Sequence, residues 1–165
     1  MTWRNNISPT KPRDESHFEY RVLQYVHLRK VEPRPLTRVV IDVSRPEDAD
    51  DTKPVSTMPD QVYYFHVTMK GKPVLKARLA VYIDLEQIHL KGFKPERNQL
   101  RRDRAREEGW QVEAYTYRRN TKKRMREIGD EIIALVKKID QHAQMEAAIE
   151  LGLLPEEAAV QRAEW

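Results

Sequence analysis

The chain has 165 residues, of which 39% are hydrophobic and 34% are charged, with a formal net charge of +4 and no cysteine. This length is enough for one domain with its own core, without support from disulfides or metals. The lack of cysteine excludes disulfides, thiolate catalysis, thiolate zinc sites and iron–sulfur ligation.

The sequence has no apolar run of signal-peptide length and none that approaches the roughly 20 residues of a membrane span. We therefore expect a cytoplasmic protein that does not engage a membrane. Only five glycines occur, and no glycine-rich phosphate-binding loop is among them. We expect no cofactor.

The first third of the chain predicts an arm followed by two strands. Residues 1–16 are polar and have no repeating apolar pattern, which predicts a flexible arm. A period-two alternation across residues 17–28 predicts a long strand, and the prolines in residues 32–35 end it. A second alternation at residues 39–43 predicts a strand that pairs with the first as a broad hairpin.

The middle of the chain predicts a loop and a second hairpin. Residues 45–60 hold three prolines and five acidic residues, which is typical of an exposed loop. Two β-rich runs, 62–69 and 74–85, are joined by a turn at residues 70–73 and predict a hairpin. A further short strand is predicted at residues 87–90.

The second half of the chain is mainly helical in pattern. Pro95 suits the first turn of a helix that Gly109 ends. Alternation over residues 110–117 predicts another strand. Asn120 or Thr121 can cap a long helix whose apolar residues recur every three or four positions.

These elements together predict an α+β fold. It consists of an antiparallel sheet of about five strands with helices on one face and a helical C-terminal region. Pro155 predicts a last short helix over residues 156–164. We divide the chain into a flexible arm, an α+β core domain and amphipathic C-terminal helices that pack on the core or on a partner, at residues 1–16, 17–126 and 127–165.

Positive charge is concentrated in residues 91–126, which carry thirteen Lys or Arg and five Asp or Glu, a net charge of +8. Residues 127–165 carry a net charge of −6. A basic segment attracts an anionic partner, and nucleic acid is the most abundant polyanion in a cell. Arginine binds phosphate through paired hydrogen bonds, and aromatic rings stack on bases. The candidate nucleic-acid-binding residues are Arg97, Arg101, Arg102, Arg104, Arg106, Trp110, Tyr115, Tyr117, Arg118, Arg119, Lys122, Lys123, Arg124 and Arg126.

We interpret the chain as a non-enzymatic accessory protein that binds RNA or DNA through phosphate contacts. No recognition-helix, zinc-finger or RNA-recognition signature is present, so the sequence gives no basis for sequence specificity. The same charges can also pair with neighbouring acids along a solvated helix.

The alternative interpretation is a protein–protein interaction or assembly protein, such as a homo-oligomer, a virion component, or an inhibitor or adaptor that binds a host protein. The opposed charged segments and the C-terminal helices would form its interface. The same apolar stripe can instead pack on the chain's own sheet. The candidate interface residues are Ile128, Ile132, Val136, Ile139, Leu153, Leu154 and Trp165.

Two weaker patterns bear on catalysis. His66 and Thr68 form the His-x-Thr element that two-histidine phosphoesterases use in duplicate to hold phosphate, but the second copy is missing. Asp42, Asp84 and Glu86 lie at strand ends, where a nuclease would gather ligands for a divalent cation, although their spacing is not diagnostic. The remaining histidines lack metal-binding spacings. We expect no metal and name no catalytic residue.

Overall fold

The computed structural model describes residues 14–48, 55–86 and 95–155. Most of the predicted arm, the strand at 87–90 and the helix at 156–164 lie outside these residues. Inside them the predicted α+β class is confirmed. The elements are, in order, α1 (Asp14–Leu28), β1 (Ile41–Asp42), a 3-10 turn (Pro46–Asp48), β2 (Ser56–Thr57), β3 (Gln61–Met69), β4 (Lys72–Leu85), α2 (Pro95–Glu107), β5 (Gln111–Tyr117) and α3 (Lys122–Glu150).

The hairpin of β3 and β4 is confirmed. The two strands pair antiparallel, with Gln61 opposite Val81 and Met69 opposite Lys72. Both residues of the turn, 70–71, have positive φ, 51° and 79°. Two-residue hairpin turns need this left-handed backbone because it matches the twist of the flanking strands.

The predicted antiparallel sheet of about five strands is wrong. β5 lies parallel to β4, with Leu79 opposite Gln111 and Leu85 opposite Tyr117, so the described residues form a mixed sheet in the order β3-β4-β5. β1 and β2 form a separate two-stranded sheet. The reason is the connection through α2. A helical crossover returns the chain to the edge of the sheet where β4 begins, so β5 runs in the same direction as β4.

The long strand predicted across residues 17–28 is also wrong, because this segment is α1. Phe18, Val22 and Val26 are fully buried. Their four-residue spacing satisfies both a period of two and a helical turn, so a short apolar segment of this kind does not distinguish strand from helix. Leu28 continues the same alternation but is 73% exposed, as the helical phase requires.

The second predicted strand, residues 39–43, is reduced to the two residues of β1, which pair with β2. Its predicted hairpin with residues 17–28 is wrong because that segment is helical. Ile41 and Val43 are buried instead against the face of the sheet that carries Val62. Earlier in the same segment, Leu36 forms a single antiparallel bridge with Val62 of β3. The segment after α1 therefore touches the edge of the sheet at Leu36 and covers its face at Ile41 and Val43.

Helices lie on both faces of the three-stranded sheet, where one face was expected. α1 and α3 pack on the face that carries Phe65, Leu79 and Val81. Ala105 of α2 packs on the opposite face with Trp110. The crossover from β4 to β5 places α2 there, opposite α1 and α3.

The predicted long helix is confirmed as α3. Thr121 is its N-cap, because the Thr121 hydroxyl accepts a hydrogen bond of 3.1 Å from the backbone N–H of Arg124. Its buried residues recur at three- and four-residue spacing, at Met125, Ile128, Gly129, Ile132, Val136, Ile139, Ala143 and Ala147. In the described part of the chain, none of the helices has the length and apolar content to traverse a bilayer.

Two contacts fix the position of α1: Tyr25 contacts α3, and Phe18 contacts β5. The Tyr25 hydroxyl donates a 2.7 Å hydrogen bond to Asp130, and Gly129 leaves room for the Tyr25 ring, with which a Cβ would collide. The rings of Phe18 and Tyr117 are stacked, with centroids 3.9 Å apart. The N-terminal half of α1 therefore lies beside the end of β5.

Candidate nucleic-acid interface

Some of the candidate residues lie at one edge of the sheet, where the parallel strands β4 and β5 end and β3 begins. Arg106 and Trp110 lie at the opposite end, near the start of β5. We call the edge where β4 and β5 end the C-terminal edge. α3 starts there, separated from the end of β5 by four residues. The N-terminal half of α1 reaches the same edge through the stacking of Phe18 on Tyr117. Carboxyl ends of parallel strands are where open α/β sheets place their ligands, because loops and helix N-termini meet there.

Arg102 of α2 is held by an acidic side chain at this edge. Its guanidinium donates two hydrogen bonds to Asp84 of β4, of 2.8 and 2.9 Å, and lies over the Tyr82 ring at 4.2 Å from the centroid. Only 13% of the Arg102 side chain is exposed. This arginine orients α2 on the sheet, and its charge is already paired with Asp84.

Arg104 is buried and does not form part of an exposed surface. It donates to Asp48 at 2.6 and 3.2 Å and to the Val43 carbonyl at 3.3 Å. The hydrogen bonds from Arg104 lower the pKa of Asp48 below its ordinary value. The candidate role of Arg104 in phosphate contact is therefore corrected, because its guanidinium joins α2 to the segment after β1.

Three further arginines have partners nearer the surface. Arg106 pairs with Asp103 at 2.9 Å, and Arg124 donates to the Thr116 carbonyl at 3.0 and 2.7 Å and to Glu127 at 3.2 Å. Arg118 pairs with Glu86 at 3.1 Å, but 80% of its side chain remains exposed. Surface pairs of this kind contribute little, so Arg118 is only loosely committed.

The predicted stacking residues are mostly inside the protein. Trp110 and Tyr117 are 6% and 3% exposed, so their rings do not form an open stacking face and the prediction is corrected at these two residues. Trp110 packs edge-on against Tyr64, with Arg78 over its ring. Tyr115 is half-buried, and burial raises the pKa of its hydroxyl to about 12. Tyr117 lies in the core cluster on one face of the sheet, and Trp110, directly before β5, lies in the cluster on the other face.

Five of the predicted cations remain exposed, and the described residues supply no ion pair for any of them. Arg97 lies at the start of α2, and the other four lie around the start of α3. These four residues form what we call the cationic surface. They are Arg119, Lys122, Lys123 and Arg126.

The start of α3 is unusual in its charge. Its first turn contains no acidic residue, and Lys122 and Lys123 lie at the end where the helix dipole disfavours cations. The hydrogen bond to Asp130 raises the pKa of the Tyr25 hydroxyl, and the positive charge of the nearby Arg126 acts in the opposite direction. Positive charge from side chains and from backbone N–H groups is thus combined in one place.

A polar cleft of about 400 Å³ opens at the same edge. Its walls come from α1, β2, β4 and α2 and from the residues before β3. Asp60 and Glu19 share a hydrogen bond there, and the Asp60 carboxylate accepts a 2.6 Å hydrogen bond from the Ile83 N–H. The lining residues are Glu19, Ser56, Thr57, Met58, Asp60, Tyr82, Ile83, Asp84, Asn98, Arg101 and Arg102.

Burial raises the pKa of Asp60 to about 6, although the hydrogen bonds from Ile83 and with Glu19 act in the opposite direction. On the facing wall the Nε of Arg101 is buried and has no hydrogen-bond partner among the described residues. Sequence reasoning missed Glu19 and Asp60. Asp60 precedes a confirmed strand, which was a usable signal, whereas Glu19 was assigned to a strand that does not exist.

The weaker catalytic patterns are separated by the structure. Of the three strand-end acids, only Asp84 lines the cleft, while Asp42 accepts from the Ser44 N–H at 2.9 Å and Glu86 pairs with Arg118. Among described residues no group of three or more acidic or histidine side chains is arranged to hold a metal. His66 and Thr68 are exposed on β3, near its turn with β4 and away from the C-terminal edge.

The candidate partner interface on α3 faces inward. Ile128, Ile132, Val136 and Ile139 belong to the core cluster with α1 and the sheet. They are buried because α3 covers its own sheet. Leu153 and Leu154, after the helix, are 74% and 41% exposed, and Trp165 lies outside the described residues.

Comparison of the chain with protein-family models, curated proteins and solved structures gives no match.

Proposed function

We propose that this protein binds nucleic acid without catalysing a reaction, and that the cationic surface at the start of α3 holds the phosphates. One observation carries the proposal. Arg119, Lys122, Lys123 and Arg126 are exposed and have no ion-pair partner among the described residues, although other arginines of the same basic segment do. A chain that pairs some of its cations and leaves four together has a surface suited to a polyanion.

The cost of this arrangement to α3 supports the same conclusion. Lysines in the first turn of a helix oppose the dipole, and a bound phosphate would reverse that penalty because the N–H groups and the lysines both attract it. The start of α3 is also fixed in position. Its Thr121 cap and the bonds from Arg124 to the Thr116 carbonyl attach the helix to the end of β5, so little ordering is needed on binding.

Phosphate contacts alone carry no sequence information, so this surface should bind many sequences with similar affinity. The assembly alternative has less support, because its apolar stripe on α3 is occupied by the core. It is tested by the same experiment through the mass of the protein.

The test is a binding titration of nuclease-treated protein with labelled single-stranded RNA, single-stranded DNA and duplex DNA. It is carried out at low and moderate salt, with the mass of the eluting protein measured in parallel. We expect salt-sensitive binding to at least one polymer, lost when Arg119, Lys122, Lys123 and Arg126 are all changed to Glu.

The control changes Lys137 and Lys138 to Glu, since these residues are also exposed on α3 but lie away from its start. This control should retain most of the binding. Absence of binding at low salt, with a multimeric mass, would overturn the proposal and favour the assembly alternative.

A further inference from the structure

The polar cleft at the C-terminal edge has the volume of a small-molecule site. Its volume of about 400 Å³ falls within the roughly 300 to 1,000 Å³ of ligand pockets. It adjoins the start of α3, because Asp84 on its wall pairs in register with Thr116, the residue to which Arg124 of α3 is bonded. The cleft and the cationic surface therefore share the C-terminal edge of the sheet.

The hydrogen-bonding groups of the cleft are divided between two walls. Asp60 and Glu19 supply carboxyl acceptors on one wall. Arg101 and Asn98, both on α2, supply donors on the other. Arg102 and Asp84 neutralise each other, so they add little net charge. The cleft thus offers acceptors and donors at the same time.

This division disfavours simple ions. A free phosphate would meet the carboxyl wall, and a simple cation would meet Arg101. A flat, neutral ligand that carries donors and an acceptor along one edge satisfies both walls. Arg101 lines the cleft, and no ion pair among the described residues involves its guanidinium, so the group is available to donate to a ligand acceptor.

A nucleobase has this shape and this pattern. Proteins that bind single strands read unstacked bases through their Watson–Crick edges. The ring N–H and exocyclic amino group of guanine form adjacent donors that match a carboxylate, and its carbonyl oxygen is an acceptor for arginine. Uracil has no exocyclic amino group and presents a poorer match.

We propose that the cleft binds one unpaired nucleobase with an exocyclic amino group, guanine being the best match, with Asp60 accepting from the base and Arg101 donating to it. This inference rests on the proposed function, because the cationic surface delivers the strand whose base enters the cleft. It adds base preference to a surface that by itself recognises only phosphate.

The ligand side of the test compares three mononucleotides that share ribose and phosphate, in heteronuclear NMR titrations of the full chain. We expect GMP to shift the amides of residues around the cleft, such as Ile83 and Asn98, and to bind at least tenfold tighter than UMP. IMP, which lacks the exocyclic amino group, should bind at least threefold more weakly than GMP. Equal binding of all three would overturn the inference.

The protein side uses Asp60→Asn, which keeps an acceptor for the Ile83 N–H, and Arg101→Gln, which removes the donor. Each should weaken GMP binding at least tenfold. Asp42→Asn is the matched control, because this carboxylate lies on β1 outside the cleft, and it should change nothing. Unchanged GMP binding in a folded Asp60→Asn or Arg101→Gln protein would also overturn the inference.

Failure of this inference is distinguishable from failure of the proposed function. A uridine oligomer with one central guanosine is compared with the uridine oligomer alone. Salt-sensitive binding with no preference for guanosine overturns the base site and leaves the phosphate surface. GMP binding at the cleft without any binding of polymers overturns the phosphate surface and leaves a nucleotide site.

Discussion

The arginines of α2 and the cations at the start of α3 belong to the same basic segment, yet the structure uses them differently. Arg102 and Arg104 are bonded to Asp84 and Asp48 and are largely buried. Lys122 and Lys123 are exposed, with no ion pair to the described residues. A count of charges identifies a basic segment, whereas the position of the acids in space determines which of its cations remain available to a partner.

The largest effect on stability should come from removing a buried arginine that is paired with a carboxylate. Arg104→Met removes the guanidinium from Asp48 and from the Val43 carbonyl, so we expect the melting temperature to fall by about 5 to 10 °C. Arg106→Met is the control, because its partner Asp103 is on the surface and such pairs contribute little. Thermal unfolding followed by circular dichroism checks both, and equal melting temperatures would contradict the structural role of Arg104.

The exposed cations should behave in the opposite way. Changing Lys122 and Lys123 to Gln should weaken nucleic-acid binding about tenfold at low salt. The variant should be as stable as the parent or slightly more so, because two cations leave the positive end of the helix dipole. Anisotropy and thermal unfolding on the same sample measure both properties, and a loss of stability that explains the loss of binding would count against the proposal.

The cleft adds a prediction about pH. A carboxyl whose pKa is raised on folding favours the folded state at low pH, and this advantage is lost as pH rises from about 4 to about 6. Asp60, with its pKa raised to about 6, should therefore destabilise the protein by roughly 1 to 3 kcal/mol at pH 7.5 relative to pH 4. Asp60→Asn removes this contribution, so its stability at pH 7.5 relative to pH 4 should be higher than that of the parent by a similar amount. Urea unfolding at the two pH values measures both proteins. The same dependence in both proteins would contradict it.

The smallest effect concerns the cap of α3. Thr121→Ala removes the hydroxyl that accepts from the Arg124 N–H and should cost about 1 kcal/mol of unfolding free energy. Asn120→Ala is the matched control, because the adjacent residue is exposed and is not the N-cap. Urea unfolding at neutral pH distinguishes them, and two equal changes would mean that the cap is not where the structure places it.

Short-range sequence signals correctly predicted the elements whose formation depends only on a few neighbouring residues. The β3–β4 hairpin, the start of α2 at Pro95, β5 and the capped α3 follow from turn, proline and periodicity rules that act over a few residues. α1 was missed because Phe18, Val22 and Val26 fit both periods. The parallel order of β4 and β5 was missed because strand direction depends on the whole crossover, although the predicted helix between them already implied it.

For the candidate site, the sequence predicted which types of residue take part but not how they are arranged in space. The sequence placed the cations in one segment, but the pairing of Arg102 with Asp84 and of Arg104 with Asp48 joins residues 18 and 56 positions apart. Such contacts depend on the folded arrangement of α2 over the sheet. The cleft was beyond reach for the same reason, since Glu19 and Asp60 meet only once α1 is recognised as a helix.

The most direct measurement is the dependence of the binding constant on salt for three proteins: the parent, Lys122→Gln with Lys123→Gln, and Arg45→Gln with Arg106→Gln, whose guanidinium groups pair with Glu107 and Asp103. Both double variants lose two positive charges, but from exposed and acid-paired positions respectively. We expect the slope of log K against log salt to fall by roughly 1.5 in the lysine variant and to stay unchanged in the arginine variant. Equal slopes in all three proteins, or equal losses in the two variants, would contradict this expectation.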